Sequence, residues 1–118
     1  MGTRNHEKLI AWQESYQLTL FVYRETAKFP IEEKFALVSQ MRRAAYSIPS
    51  NIAEGNAKRS KKEKSRFYEI AKASLEELHV QCRLAKDLAY WDDSKFMRLD
   101  TWVNKISYLL IKMYNSLH

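Results

Sequence analysis

The chain of 118 residues contains 46% hydrophobic and 29% charged residues, a balance that fits a single globular domain over residues 1–118. With only two glycines and two prolines, the composition argues against a turn-rich all-β fold and favours long helices. The single cysteine, Cys82, cannot form an internal disulfide, and no signal peptide or transmembrane run is recognisable, so we expect a cytoplasmic protein without membrane contact.

The first predicted helix covers residues 8–28. Its apolar residues recur at three- and four-residue steps, which is the spacing of one helix face: Leu9, Trp12, Tyr16, Leu20, Tyr23 and Ala27. Leu18, Phe21 and Val22 add apolar surface outside that stripe. A helix with two apolar faces either lies centrally in the fold or contacts another subunit.

The second predicted helix covers residues 31–55 and contains a proline. Its apolar stripe continues through Pro49, which predicts one helix kinked at Pro49 rather than two: Phe35, Val38, Met41, Ala45, Ile48 and Ile52. A proline inside a helix costs about 3 kcal/mol, because it removes a hydrogen bond and crowds the carbonyl four residues earlier. We expect the side chains of Ser47 and Ser50 to satisfy the freed backbone groups, and Gly55 to cap the C-terminus of this helix.

Two further helices follow, over residues 61–90 and 93–117. A capping box from Ser60 to Glu63 predicts the start of the third helix, and Asp92, Asp93 and Ser94 together supply the cap of the fourth. Both segments carry apolar residues at helical spacing. Four helices with short connections predict an all-α fold, an antiparallel up-and-down four-helix bundle.

Positive charge is concentrated between residues 58 and 66. This basic run holds six cations and only one acid, Glu63, so it carries +5 of the formal net charge of +6: Lys58, Arg59, Lys61, Lys62, Lys64 and Arg66. Because lysine and arginine side chains neutralise phosphates and release counterions, the run predicts a nucleic-acid contact. The alternative interpretation is a solvated face that only aids solubility.

Arg42 and Arg43 add two cations on the preceding helix, and we assign them to the same predicted interface. Tyr46 and Tyr68 are close to these cations in sequence and could stack on bases. The alternative for both tyrosines is packing against the bundle with a solvated hydroxyl group.

Catalytic and metal-binding chemistry finds little support in the chain. Glu76 and His79 have the spacing of a di-metal carboxylate motif, but the motif occurs once, and His6 and His118 lie too near the termini to supply a second pair. Cys82 falls on an apolar stripe with no identifiable base. No glycine-rich phosphate loop is present. We therefore predict a protein that is not an enzyme and uses no cofactor or metal.

Several short motifs of the chain, spread over most of its length, form a recognisable set. The most specific is the block from Ser47 to Gly55, which reads Ser-Ile-Pro-Ser-Asn-Ile-Ala-Glu-Gly. Others are Trp12-Gln13, Val22-Tyr23-Arg24, Phe29-Pro30, Gln40-Met41-Arg42-Arg43-Ala44-Ala45 and Ser74-Leu75-Glu76-Glu77-Leu78. Together these motifs resemble one bacterial family, the 23S rRNA intervening-sequence proteins, and the resemblance covers nearly the whole chain.

The resemblance implies a four-helix protomer that assembles into a ring-like homopentamer, and it carries no catalytic residues. It also implies association with RNA, and a related branch of basic proteins partners a reverse transcriptase and nucleic acid. Within the Ser47–Gly55 block it marks four residues as structural: Pro49, Asn51, Glu54 and Gly55. Asn56 departs from the family, which often has an aromatic residue there.

Two functional hypotheses follow from the sequence. The first is a non-enzymatic oligomeric protein that binds RNA, or DNA, through a basic patch at the junction of the second and third helices. The second is a protein–protein adaptor, for example for a reverse transcriptase or a ribosome-associated partner, with no direct nucleic-acid role. Surplus apolar surface on the first helix supports the second hypothesis.

Overall fold

The computed structural model describes residues 3–118 and contains, within that range, four α-helices and no strand. The helices are α1 (Ile10–Thr26), α2 (Leu37–Ala57), α3 (Lys61–Asp87) and α4 (Asp93–Asn115), with short 3-10 turns at Asn5–Lys8 and Ile31–Glu33. Each helix packs against the next, and α1 also contacts α4, which closes the bundle. The predicted all-α up-and-down four-helix bundle is confirmed.

The bundle is elongated along its helices. It measures 43 × 29 × 22 Å, and the 27 residues of α3 account for about 40 Å of the long axis at ~1.5 Å per residue. Because the helices alternate in direction, α2 and α4 end where α1 and α3 begin. Residues that are far apart in sequence therefore meet at each end of the bundle.

The start of α2 differs from the prediction. Residues Ile31–Glu33 form a 3-10 turn, and Ala36 has a non-helical backbone with φ −121° and ψ −104°, so the α-helix begins only at Leu37. Phe35 lies before this break and is 89% exposed, which makes its assignment to the core stripe wrong. The remaining stripe of α2 is buried as predicted: Val38, Met41, Ala45, Ile48 and Ile52.

The core-facing side of α1 also differs from the prediction. Tyr16, Tyr23 and Ala27 of the predicted stripe are exposed, whereas the buried side consists of Ala11, Ser15, Leu18, Thr19, Val22 and Thr26. Three of these six residues are hydroxyl-bearing, and their hydroxyl groups donate to carbonyls one helical turn earlier, at 2.7–3.1 Å. Because these hydrogen bonds satisfy the hydroxyl groups, the polar side chains can be buried. A hydropathy pattern therefore does not identify this face of α1 as the buried one.

Pro49 lies inside α2 without ending it, so the prediction of a single helix through Pro49 is confirmed. Proline has no N–H to donate to the carbonyl of Ala45. A side chain of α1 replaces it in part, since the hydroxyl of Thr19 shares its single proton between the Ser15 carbonyl, at 2.8 Å, and the Ala45 oxygen, at 3.1 Å. Ser47 and Ser50 were expected in this role. Instead, Ser47 Oγ lies 2.9 Å from the hydroxyl of Ser74 on α3, and Ser50 is exposed.

Replacing Thr19 with valine is expected to lower the free energy of unfolding by about 1 kcal/mol, because the buried Ala45 carbonyl loses its donor. In a Pro49→Ala background the new N–H of residue 49 satisfies that carbonyl, so the same replacement costs less. Chemical denaturation of the four variants measures this coupling. Thr101→Val is the control, since its exposed hydroxyl donates only to Met97 of its own helix. Equal costs in both backgrounds would contradict the assignment.

Gly55 does not cap α2, and the prediction of a C-terminal cap is wrong. The helix continues to Ala57, and the backbone of Gly55 does not have a positive φ. The glycine instead permits close helix packing. A β-carbon at this position would lie 2.7 Å from Cε1 of Tyr68 and 3.0 Å from Cβ of Phe67, both on α3.

The end of α3 places Ala89 in a strained backbone conformation, with φ at 64°. The N–H of Tyr90 donates to the Ala85 carbonyl, and that of Ala89 donates to the Lys86 carbonyl, both at 2.9 Å. These two bonds form a Schellman motif, in which glycine is the usual residue at the left-handed position.

Ala89→Gly is therefore expected to raise the free energy of unfolding by about 0.5–1 kcal/mol, because glycine adopts this conformation without a Cβ clash. Thermal or urea denaturation would measure the gain. Ala73→Gly, on the exposed side of α3, serves as the opposite control and should lower stability by about 1 kcal/mol. A loss of stability in Ala89→Gly would contradict the strain assigned to this residue.

Candidate nucleic-acid interface

The basic run forms the connection between α2 and α3 and the first turns of α3. Residues 58–60 link the two helices, and Ser60 begins α3 by accepting the N–H of Glu63 on its hydroxyl at 3.1 Å. This confirms the hydroxyl half of the predicted capping box. The N-terminus of α3, with its partial positive charge, thus lies within the basic run.

Three cations of the run are held by contacts within the bundle. Lys64 Nζ donates to the carbonyls of Asn56 at 3.0 Å and Gly55 at 3.4 Å, and so places a positive charge on the carbonyls at the C-terminus of α2. Lys58 Nζ and the Arg66 guanidinium lie 5.3 and 5.7 Å from the centre of the Phe67 ring. These contacts fix the shape of the junction and the position of its charge.

The other three cations are Arg59, Lys61 and Lys62. Their side chains are exposed and make no hydrogen bond or ion pair with any residue from 3 to 118. Charges that are not neutralised within the bundle remain available to a ligand. We name this group the junction cations.

Arg42 and Arg43 lie elsewhere on the molecule. Arg43 precedes Lys58 by fifteen residues, which is about 22 Å of helix rise along α2. Arg42 is held by the end of α1: its Nε donates to Thr26 Oγ1 at 3.0 Å, and its terminal nitrogen donates to the Tyr23 carbonyl at 3.1 Å. The predicted patch therefore divides into two separate surfaces, and the assignment of both arginines to nucleic acid stays a prediction.

Three cations that the sequence prediction did not include share the end of the bundle with the basic run: Arg4, Lys8 and Lys112. They belong to the segment before α1, which contacts α1 and α2, and to the end of α4, which lies at the end of the bundle where α3 begins. A contact of 3.0 Å between Ser65 Oγ and His118 Nε2 joins the start of α3 to the C-terminal residue. The up-and-down topology could have predicted this grouping, because α1 and α3 begin and α4 ends at the same end of the bundle.

The residues predicted to be structural have different environments. Pro49 and Gly55 are buried, as described above, and Asn51 Nδ2 donates to the Ser47 carbonyl at 2.8 Å. Glu54 is exposed, and its side chain makes no hydrogen bond to residues 3–118. Tyr68 is buried, and this burial raises the pKa of its hydroxyl, so it packs against Gly55 rather than offering a stacking surface.

The residues considered for catalysis or metal binding have structural contacts. His79 Nε2 lies 2.7 Å from Asp100 Oδ1 on α4. Cys82 is fully buried, and burial raises the pKa of its thiol far above the ordinary value. Across residues 3–118, no three His, Cys, Asp or Glu side chains are grouped so as to hold a metal ion.

No helix in the described part of the chain is both long and apolar enough to cross a membrane. The fold and the charge distribution define a small four-helix-bundle protein with one basic end. The chain belongs to the family of 23S rRNA-intervening sequence proteins, whose family model matches residues 7–112. The resemblance inferred from the sequence motifs is thereby confirmed.

The fold is also similar to a crystal structure from Bacteroides thetaiotaomicron VPI-5482, a protein with unknown function from the S23 ribosomal protein family. The TM-score is 0.83 and the sequence identity 20%, over 90% of this chain and 96% of the other. At this level of identity the similarity shows a shared fold and nothing more. No curated protein sequence matches the chain.

Proposed function

We propose that this protein is a non-enzymatic, oligomeric four-helix bundle that binds RNA through the junction cations. The observation that carries the proposal is the exposure of Arg59, Lys61 and Lys62, without internal partners, at the N-terminus of α3. The name of the family refers to 23S rRNA, which makes RNA the nucleic acid to test first.

Binding of this kind is electrostatic and largely independent of base sequence. Each cation that meets a phosphate releases condensed counterions, and the free N–H groups at the start of α3 favour the same negative charge. Lys58, Lys64 and Arg66 contribute to the local potential while their own contacts hold the junction in place. No step in this proposal requires a cofactor or a metal.

A salt titration of binding to a blunt RNA duplex tests the proposal. With three phosphate contacts per protomer, the logarithm of the affinity should fall against the logarithm of salt concentration with a slope of about −2.7 or steeper, at ~−0.9 for each contact. Fluorescence anisotropy of a labelled duplex measures it. Absence of binding at low salt, or an affinity independent of salt, would refute the proposal.

The oligomeric state is a separate part of the proposal. Val80 and Leu84 on α3 and Leu88 just after its end repeat every four residues and are exposed, as are Tyr16 and Tyr23 on α1. Apolar surface of this kind favours association, and the family resemblance points to a pentamer. A ring would repeat the junction cations by symmetry, so that weak sites combine through avidity.

Light scattering at micromolar concentration is expected to give the mass of a homo-oligomer; five chains of 14.0 kDa would give about 70 kDa. Val80→Glu and Leu84→Glu should shift the mass toward that of one chain, because a charge placed in an apolar contact is not solvated. Met97→Glu, at another exposed apolar residue, is the control. A mass of 14.0 kDa for the unchanged protein would contradict oligomerisation.

The same exposed apolar residues support a second candidate function, a protein–protein adaptor. In that case the apolar side of α3 would contact a different polypeptide rather than another copy. A protein that is monomeric and ignores RNA at low salt, but forms a stoichiometric complex with one purified partner through Val80 and Leu84, would favour this function.

A further inference from the structure

A groove lies near the start of α2, at the opposite end of this helix from the junction cations. It has a volume of about 480 Å³ and is bounded by the end of α1, the segment before α2 and the first turns of α2. Three aromatic and three cationic side chains line it: Tyr23, Lys34, Phe35, Arg42, Arg43 and Tyr46. We call it the Phe35 groove. No acidic residue lines it.

The aromatic rings of the groove are held out of the core by the backbone. The non-helical conformation of Ala36 keeps Phe35 outside α2, where it is 89% exposed, and Tyr23 and Tyr46 are 40% and 46% exposed. An exposed phenylalanine ring forgoes the stabilisation that burial would give. Such a ring beside other aromatics is typical of a contact surface.

The three cations of the groove differ in the contacts that they make within the protein. Arg42 lies 4.6 Å from the centre of the Tyr23 ring and is fixed there by its two hydrogen bonds to α1. Lys34 and Arg43 make no hydrogen bond or ion pair through their side chains with residues 3–118, although Lys34 Nζ lies 5.4 Å from the Phe35 ring. Two charges without an ion-pair partner thus border an exposed aromatic ring.

This combination identifies the ligand by its chemistry. Three cations with no acidic residue among the lining attract an anion, and a single-stranded nucleic acid presents phosphates together with flat bases that can stack on the exposed rings. We infer that the Phe35 groove binds unpaired nucleotides of RNA, with a base stacked on Phe35 and phosphates near Lys34 and Arg43. The inference rests on the proposed RNA-binding function and adds a second site to it.

The two surfaces then read different features of one RNA. The junction cations bind RNA phosphates whether or not the bases are paired. The groove binds only bases that are unpaired and therefore free to stack. Arg43 and Lys58 are separated by about 22 Å along α2, so both surfaces can contact an RNA in which a duplex adjoins a single strand.

The test compares an unstructured oligouridine with a blunt RNA duplex of the same length. Phe35→Ala should weaken oligouridine binding by about 5- to 100-fold, the range for loss of one stacked base, and leave duplex binding within about twofold. Phe35→Leu should be as weak as Phe35→Ala, because leucine keeps the apolar volume without the aromatic face. Arg43→Gln should reduce the salt slope for oligouridine by about 0.7.

Each contrary outcome has a distinct meaning. Unchanged oligouridine binding in Phe35→Ala, with duplex binding intact, would overturn the groove while leaving the proposed function standing. Absence of duplex binding in the unchanged protein would overturn the proposed function itself. Full affinity in Phe35→Leu, or a loss of oligomer mass in Phe35→Ala, would assign the groove to an apolar protein contact and overturn the inference.

Discussion

Reversing the three junction cations in the variant Arg59→Glu, Lys61→Glu, Lys62→Glu is expected to weaken duplex RNA binding by on the order of 100-fold or more at about 0.15 M salt. The physical reason is twofold: three phosphate contacts are lost, and three like charges are placed at the same surface. Because these side chains are exposed and make no hydrogen bond or ion pair within residues 3–118, the variant should fold as the unchanged protein does. Anisotropy measures the affinity, and circular dichroism verifies the helical content.

A control variant distinguishes an effect of where the charge is reversed from an effect of the net charge of the protein. The variant Arg24→Glu, Arg83→Glu, Arg98→Glu makes the same change in net charge near the opposite end of the bundle, at the end of α1, the end of α3 and the start of α4. Its duplex affinity should remain within a few fold of the unchanged protein, since contacts beyond a Debye length of ~8–10 Å are largely screened. Equal losses in the two variants would show that net charge alone governs binding.

Replacing Gly55 with alanine is expected to lower the free energy of unfolding by about 1–2 kcal/mol, the cost of overpacking less the higher helix propensity of alanine. Alanine favours a helix over glycine by about 1 kcal/mol, so a glycine with free space around it would give the opposite sign. At this position the added carbon would meet Cε1 of Tyr68 at 2.7 Å, and the buried ring or the helix must move. Overpacking of this kind costs about 1–3 kcal/mol, occasionally more.

A second variant relates this cost to the Tyr68 ring. In a Tyr68→Leu background the ring edge is absent, so Gly55→Ala should cost much less than in the unchanged protein. Urea denaturation of the four variants gives the coupling free energy. An increase in stability of Gly55→Ala in the unchanged background would contradict the close-packing role of this glycine.

The helices that the sequence predicts best are those whose buried faces are purely apolar. On α4, Leu99, Val103, Ile106 and Leu110 are buried at helical spacing, and Asp92, one of three residues predicted to supply the cap, accepts the N–H of Lys95. On α1 the prediction chose the wrong face, because Thr19 and Thr26 satisfy their hydroxyl groups within the bundle. A hydropathy pattern does not predict the burial of a polar side chain whose hydroxyl donates to a backbone carbonyl.

The contacts around Pro49 could not be predicted from the sequence of α2 alone. The sequence identified Pro49 and Gly55 as unusual, but the compensating contacts come from other helices. Thr19 on α1 donates to the Ala45 carbonyl, and Tyr68 on α3 occupies the space beside Gly55. Neither contact can be derived from the spacing of residues within α2.

The candidate interface was predictable in part. The concentration of charge at residues 58–66 is visible in the sequence, and the distance from Arg43 follows from the length of the helix between them. Which cations of the run are bonded within the bundle and which are free was not predictable, because this depends on the three-dimensional surroundings of each side chain. Lys64 donates to the end of α2, whereas Arg59 is exposed.

Lysine acetylation footprinting, read by mass spectrometry with and without a bound RNA duplex, tests the central claim most directly. Lys61 and Lys62 should lose reactivity when RNA is present, because their amines contact phosphates. Lys28 and Lys105 are also exposed but lie away from the junction, and they should react equally in both samples. Protection of Lys28 and Lys105 with Lys61 and Lys62 still reactive would contradict an RNA interface at the α2–α3 junction.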